Sequence, residues 1–180
     1  RKLWRAAMRR VRAHFPMAYA KILALDIRLY TGTPYGATDG KYLLINPDGI
    51  RRIRMQPDPI GLLAFLLVHE ALHALLGHGH RLADCQDHQR ANIAADYVIN
   101  AMIERANRIA ERDHDIIPFP MIPGGLIDEK LSGDLSAEQL YRKLYKPKPD
   151  GDGDGDGDGD GGADVNPGTE SGNTGTDDES

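Results

Sequence analysis

The sequence contains one cysteine, Cys85, and its beginning lacks the long apolar stretch of a signal peptide. A lone cysteine cannot form an intrachain disulfide, so nothing in the chain indicates an oxidising compartment. We expect Cys85 to be a small packed side chain and not a metal ligand. Basic residues interrupt the first ten positions, which excludes the apolar core of a secretory signal. These absences predict a cytoplasmic protein.

Residues 150–180 lack lysine, arginine and aromatic side chains, and they contain a single valine. Alternating Asp and Gly residues fill their first part, and such a segment cannot bury enough apolar surface to fold. The same run places no glutamate at the twelfth position of a calcium-binding EF-hand loop. We predict a folded domain at residues 1–149 and a disordered acidic tail or linker at residues 150–180.

Charge is divided unevenly between these two parts. The chain has 22 basic and 27 acidic residues, a net charge of −5, but 11 of the acidic residues belong to the tail. The predicted domain therefore has 22 basic and 16 acidic residues, a net charge of +6. Six basic side chains in its first twelve residues have no interleaved aromatic residues for base stacking, which favours a solvated helix face. Because the tail would also compete with phosphates, we do not expect a nucleic-acid partner.

The motif His69-Glu70-Ala71-Leu72-His73 lies inside a long apolar stretch. Two histidines four residues apart lie one turn apart on the same helix face, so His69 and His73 can each donate a ring nitrogen to one zinc ion. Glu70 lies beside the first histidine, where its carboxylate can accept a proton from a metal-activated water. The spacing predicts one catalytic Zn²⁺ with His69 and His73 as ligands and Glu70 as the general base.

The residues around the motif predict that it lies on a central helix. Asp58 and Pro59 provide an N-cap and a first-turn proline, residues 60–76 are apolar except for the motif, and Gly77 ends the helix. A helix that is apolar on all sides belongs in a protein core. Three ionisable groups would be costly in a core without a metal and costly in lipid. We therefore expect neither a metal-free core cluster nor a membrane span.

A catalytic zinc site normally has a third protein ligand, and the sequence offers three candidates. Asp96 lies within a second helix, predicted at Asp87–Ala110, and a carboxylate from a packed neighbouring helix would complete the site. His78 and His80 follow the motif more closely in the sequence. We favour Asp96, keep His78 as the alternative third ligand, and place His80 behind both.

Polar side chains form a stripe on that second helix. Asn92, Asp96 and Asn100 lie four residues apart among apolar neighbours. Polar groups on an apolar face need partners. A metal and the residues that surround its ligands would provide them.

The rest of the domain is predicted to be mainly helical with a small antiparallel sheet, an α+β fold. Residues 25–30 and Lys41–Ile45 have the alternation of strands, with a turn at Asp39-Gly40. The free edge of this sheet could pair with an extended peptide and hold it over the metal. Helices besides the two described above are expected at residues 1–15, 17–25, 46–55 and 137–145.

Several of these motifs together resemble a known family. They are the stretch from His69 to Arg81, the stretch from Asn92 to Asn100, and the shorter pieces Ala37–Gly40, Ile45–Pro47 and Ser136–Tyr141. The combination is similar to the putative metallopeptidase domain of bacterial and phage proteins that often carry a von Willebrand factor A-like domain.

This resemblance implies a zincin-like fold with the HExxH motif on its central helix. It also implies a peptidase that acts on a protein or peptide, with Asp96 and His78 as motif positions and a von Willebrand factor A-like domain as a partner. No Asp-x-Ser-x-Ser motif of such a domain occurs in the sequence, so we expect that partner to lie outside this chain.

The sequence therefore predicts a zinc-dependent metallopeptidase. Tyr97, His80 and Arg81 are the nearest candidates in sequence for a group that stabilises the oxyanion. Two other functions remain open, a catalytically silent, metal-stabilised binding scaffold and a nucleic-acid-associated protease. An intact Glu70 favours an enzyme over the scaffold, because a purely structural metal site has no use for a base.

Overall fold

The computed structural model describes residues 1–112, 117–122, 125–126 and 128–145 of the chain. These residues contain eleven helices and strands. The predicted tail, residues 150–180, lies outside the described residues. The described part is mainly helical with one small sheet, as expected for an α+β fold. The elements in chain order are α1 (Lys2–His14), α2 (Pro16–Ala24), β1 (Asp26–Leu29), β2 (Gly36–Thr38), β3 (Tyr42–Ile45), α3 (Pro47–Arg54), α4 (Pro59–Leu75), α5 (His78–Arg81), α6 (His88–Ala110), α7 (Glu129–Ser132) and α8 (Ala137–Leu144).

Helix α4 forms the centre of the fold. The Asp58 carboxylate accepts a hydrogen bond from the backbone N–H of Gly61 at 2.8 Å, and Pro59 occupies the first turn. The helix ends at Leu75, and Gly77 then adopts a left-handed φ of 66°. Its apolar side chains are buried against α1, α2, α3, α6 and β2. Although α4 is apolar on all sides, none of the described helices has the length and hydropathy needed to cross a membrane.

Arg10 connects three parts of this core, which corrects its expected place on a solvated helix face. Its side chain is 12% exposed and its guanidinium donates to the Asp58 carboxylate at 2.8 Å. The same group donates to the backbone carbonyls of Ile117, at 3.3 Å, and Pro118. Arg10 therefore joins α1, the N-cap of α4 and the segment 117–122.

Replacing Arg10 with alanine should lower the free energy of unfolding by about 2–3 kcal/mol, because a carboxylate and two carbonyls lose a charged donor. Arg9→Ala is the matched control, since Arg9 is exposed on the same helix and should cost about 0.5 kcal/mol or less. Urea unfolding followed by circular dichroism measures both. Equal effects of the two substitutions would show that Arg10 does not hold these segments together.

The sheet has the strand order β1-β3-β2 and is mixed, so the predicted antiparallel sheet is wrong. β2 is antiparallel to β3, but β1 is parallel to it. Sequence patterns missed β2 because residues 36–38 lie among the Gly, Pro and Thr residues typical of a loop. The chain leaves β1, forms β2 on the far side of β3 and turns back through Asp39 and Gly40. As a result β3 runs in the same direction as β1.

Strand β2 is an edge strand that lies beside α4. A Cβ atom at Gly36 would lie 3.5 Å from Cδ1 of Leu66 and 3.7 Å from Cγ of Glu70. The strand therefore passes close to the second half of the helix. No described strand pairs with the outer edge of β2.

Helix α6 packs against α4 and also against α8. The Asp87 carboxylate caps it by accepting from the backbone N–H of Arg90 at 2.9 Å. The hydroxyl of Tyr141 accepts from the backbone N–H of Asp87 at 3.1 Å and so joins α8 to the start of α6. Cys85 packs against the apolar cluster between these two helices, in agreement with its expected role as a small packed side chain.

Candidate metal centre

Three side chains from two helices meet in the structure. His69 and His73 come from the second half of α4, and Asp96 comes from α6. The Nε2 atoms of the two histidines lie 3.1 Å apart. Oδ1 of Asp96 lies 3.0 Å from Nε2 of His73 and 3.4 Å from Nε2 of His69. These three side chains, which we call the metal cluster, form the one group of this kind among the described His, Cys, Asp and Glu residues.

The spacing of the three donor atoms fits a tetrahedral zinc site. Bonds of about 2.0–2.1 Å at tetrahedral angles place neighbouring ligand atoms roughly 3.3 Å apart. The separations in the metal cluster are 3.0, 3.1 and 3.4 Å. Two imidazoles and one carboxylate are also a donor set with which zinc keeps its fourth position open for water or substrate. The chemistry and the spacing of these residues therefore fit a catalytic zinc ion.

Asp96 is held in its ionised form. Burial alone would raise its pKa, but hydrogen bonds and positive charge from His69 and His73 lower the pKa of Asp96 to about 2. Asn92 donates from Nδ2 to the other carboxylate oxygen at 3.3 Å. One oxygen of Asp96 thus faces the two histidines while the other is bonded within α6. The structure places the favoured third-ligand candidate against both histidines.

The outer nitrogen of His69 contacts Asn100, which is buried one turn after Asp96 on α6. Oδ1 of Asn100 lies 3.0 Å from Nδ1 of His69, and Nδ2 of Asn100 donates to the carbonyl of Leu126 at 2.8 Å. Burial lowers the pKa of His69, but the hydrogen bond that its ring donates to Asp96 and the negative charge of Glu70 outweigh this effect and raise the pKa. The polar stripe on α6 indicated that Asn100 lies near the metal ligands. The contact with Leu126 could not be predicted, because a backbone carbonyl leaves no signal in the sequence.

His78, the alternative third-ligand candidate, lies on the other side of the His73 ring. Its Nδ1 is 3.3 Å from Nδ1 of His73, whereas Nε2 of His73 faces Asp96. Burial, followed by the charges of His73 and Arg81, lowers the pKa of His78 to about 4. His78 is therefore neutral at pH 7. Its Nδ1 faces Nδ1 of His73, away from the donor atoms that meet at Nε2, and so it does not belong to the metal cluster. His80, on the same short helix α5, is exposed and also lies outside the cluster.

Glu70 is buried next to the metal cluster, with a side chain covered by β2 at Gly36. Burial raises the pKa of Glu70, and the charges of His69 and His73 oppose this rise without cancelling it. A carboxyl group that must accept and then release a proton near neutral pH needs a pKa shifted in this direction. The environment of Glu70 therefore suits acid–base chemistry.

A cavity of about 650 Å³ adjoins the metal cluster on the side of His73. Its walls come from the turn between β2 and β3, the end of α4, helix α5 and the first turns of α6. His73, His78, His80 and Asn92 line it together with several glycine and alanine residues. Ligand pockets commonly have this size.

The three oxyanion candidates occupy different surroundings. Arg81 forms an ion pair with Glu138 at 2.7 Å and donates to the carbonyl of Leu76 at 3.0 Å. Tyr97 packs against the apolar cluster between α6 and α8. His80 lines the same cavity as His73. Arg81 and Tyr97 are not among the residues that line this cavity.

A sequence profile of the putative metallopeptidase domain family matches residues 2–178. No curated protein and no solved structure matches the chain. The matched range contains Glu70 and all three residues of the metal cluster. The family description implies a metal, and His69, His73 and Asp96 form a group that could hold it.

Proposed function

Because the chain belongs to the putative metallopeptidase domain family, we propose that it is a zinc-dependent metallopeptidase that hydrolyses peptide bonds. The observation that carries this proposal is the convergence of His69, His73 and Asp96 within 3.4 Å of one another, with Glu70 buried beside them. His69, His73 and Asp96 would hold the ion in a zincin-like arrangement, with the HExxH motif on the central helix α4. A scaffold without activity would not need an acid–base group at this place.

In this mechanism Glu70 moves the proton. A bound zinc ion would polarise a water molecule and the scissile carbonyl. The Glu70 carboxylate takes a proton from the attacking water and then gives it to the leaving amine, so the residue is a base in the first step and an acid in the second. The burial that raises the pKa of Glu70 favours the second step, because the protonated form must persist until the amine departs.

The outer edge of β2 gives an extended peptide a place to bind. The backbone N–H of Asn46 donates to the carbonyl of Tyr35 at 2.9 Å, and facing residues of antiparallel strands alternate between bonded and unbonded pairs. The backbone groups of Ala37 therefore face β3, while those of Gly36 and Thr38 face the open edge. A substrate strand that pairs with Gly36 and Thr38 would pass beside Glu70, and the cavity next to His73 could take one of its side chains.

Purified wild-type protein should contain about one zinc ion per chain after gentle purification with added zinc, and it should cleave members of a mixed peptide library. A chelator should remove the ion and the cleavage together, and added zinc should restore both. Elemental analysis and mass spectrometry of the peptides measure the two quantities. Wild-type protein without stoichiometric metal would remove the basis of the proposal. Cleavage that survives complete metal removal would assign the reaction to other groups.

A further inference from the structure

The hydrogen bonds of Asn100 determine which way its side-chain amide faces. The residue is 3% exposed, and both polar atoms of its side chain have partners. The Leu126 carbonyl can only accept a hydrogen bond, so the amide nitrogen of Asn100 must face Leu126. The amide oxygen is then the atom that faces Nδ1 of His69.

This orientation fixes the protonation of the His69 ring. An amide oxygen can only accept, so Nδ1 of His69 must be the nitrogen that carries the hydrogen. In the neutral imidazole the other nitrogen, Nε2, then has a free lone pair. Nε2 is the atom that lies 3.1 Å from His73 and 3.4 Å from Asp96. The bond to Asn100 therefore selects the ring form that can bind a metal within the metal cluster.

We infer that Asn100 is a positioning residue, which holds His69 in the tautomer and ring orientation required for metal binding and is itself held by the Leu126 carbonyl. This inference rests on the metal site of the proposed function, but it does not require that the protein cleave peptides. Partners of the outer nitrogen of a metal-binding histidine commonly change metal affinity by about 10–100-fold when they are removed.

Asn107 provides a matched control on the same helix. It is also buried, and it also bonds backbone through both polar atoms, since Nδ2 donates to the Phe119 carbonyl at 2.9 Å and Oδ1 accepts from the Phe119 N–H at 2.8 Å. Neither of these two hydrogen bonds involves a residue of the metal cluster. Loss of a buried asparagine on α6 can therefore be separated from loss of the contact with His69.

The test is a competition titration of zinc between a chromogenic chelator and the metal-free full chain, for wild type and three variants. Asn100→Ala should weaken zinc binding about 10–100-fold. Asn100→Asp should keep zinc affinity within roughly threefold of wild type, because the carboxylate still accepts from Nδ1, although it loses the bond to Leu126. Asn107→Ala should lower the melting temperature and leave zinc affinity unchanged. If Asn100→Ala does not fold, the apolar substitute Asn100→Leu takes its place.

Nitrogen-15 NMR of the histidine rings gives a second readout. A signal from protonated Nδ1 of His69 should persist in wild type, Asn100→Asp and Asn107→Ala, and it should be lost or shifted in Asn100→Ala. Unchanged zinc affinity in Asn100→Ala, or an equal loss in Asn107→Ala, would overturn the inference. Wild type without zinc binding would overturn it together with the metal site. The expected pattern in a protein that cleaves no peptide would support the inference and refute the proposed peptidase.

Discussion

Glu70→Gln should reduce peptide cleavage by about 10²–10⁴-fold while zinc content and melting temperature stay at their wild-type values. Glutamine keeps the length and shape of the side chain but cannot accept a proton from the attacking water. Its amide also cannot deliver a proton to the leaving amine. A single substitution therefore removes both proton transfers assigned to this position.

The structure explains why zinc should remain bound in this variant. The donor atoms of the metal cluster belong to His69, His73 and Asp96, and Glu70 is not one of them. Burial at this position disfavours the charged carboxylate and raises the pKa of Glu70, so a neutral amide of the same shape should be tolerated there. The variant should thus separate chemistry from metal binding.

Glu111→Gln is the matched control, because Glu111 is an exposed glutamate just beyond the end of α6. Both variants should be loaded with zinc, and cleavage of the peptides that wild type cleaves should be measured as kcat and KM. The loss in Glu70→Gln should lie in kcat, and Glu111→Gln should match wild type. Equal turnover by Glu70→Gln and wild type would refute the assigned role of Glu70.

The elements that could be predicted from the sequence are those whose start and end are set by residues close to one another along the chain. The N-cap at Asp58, the proline that follows it and the stop at Gly77 define α4 within one continuous stretch. Asp96 lies 23 residues beyond His73. Its place near the histidines could still be predicted, because it is a carboxylate on the apolar face of a second helix. Burial of a charged group is costly enough to indicate a partner.

The direction of β1 relative to β3 could not be predicted in the same way. Parallel and antiparallel pairs need the same alternation of residues along each strand, and the difference lies in the path between them. That path contains β2, whose residues Gly36-Ala37-Thr38 have weak strand propensity and form a strand because they pair with β3. The position of edge strand β2 beside Glu70 therefore became visible only in the structure.

The contacts that side chains make with distant backbone carbonyls also could not be predicted from sequence patterns. Arg10 has the spacing of a solvated residue, but its guanidinium meets Asp58 and two carbonyls more than one hundred residues further along the chain. The role of the Leu126 carbonyl toward Asn100 is of the same kind. Backbone acceptors carry no side-chain signature, so their partners are identified by tertiary structure alone.

Asp96→Ala and His78→Ala should have clearly different effects on zinc affinity, and this difference would assign the third ligand. Asp96 places a carboxylate oxygen 3.0 and 3.4 Å from the two Nε2 atoms, so its loss removes a donor and a negative charge from the metal cluster. His78 instead faces the outer nitrogen of His73 at 3.3 Å. Its loss should cost no more than the roughly 10–100-fold expected for a partner of an outer nitrogen. Asp96→Ala should exceed that range.

Zinc competition with the same chelator, on metal-free wild type and variants, measures this difference. Asp96→Asn is a useful third variant, because it keeps the shape of the side chain while it removes the charge that His69 and His73 stabilise by lowering the pKa of Asp96 to about 2. We expect Asp96→Asn to bind zinc far more weakly than His78→Ala does. His80→Ala should bind zinc as wild type does, since His80 does not belong to the metal cluster. Zinc retained by Asp96→Ala and lost by His78→Ala would instead make His78 the third ligand, and the ring of His73 would then have to turn from its present orientation.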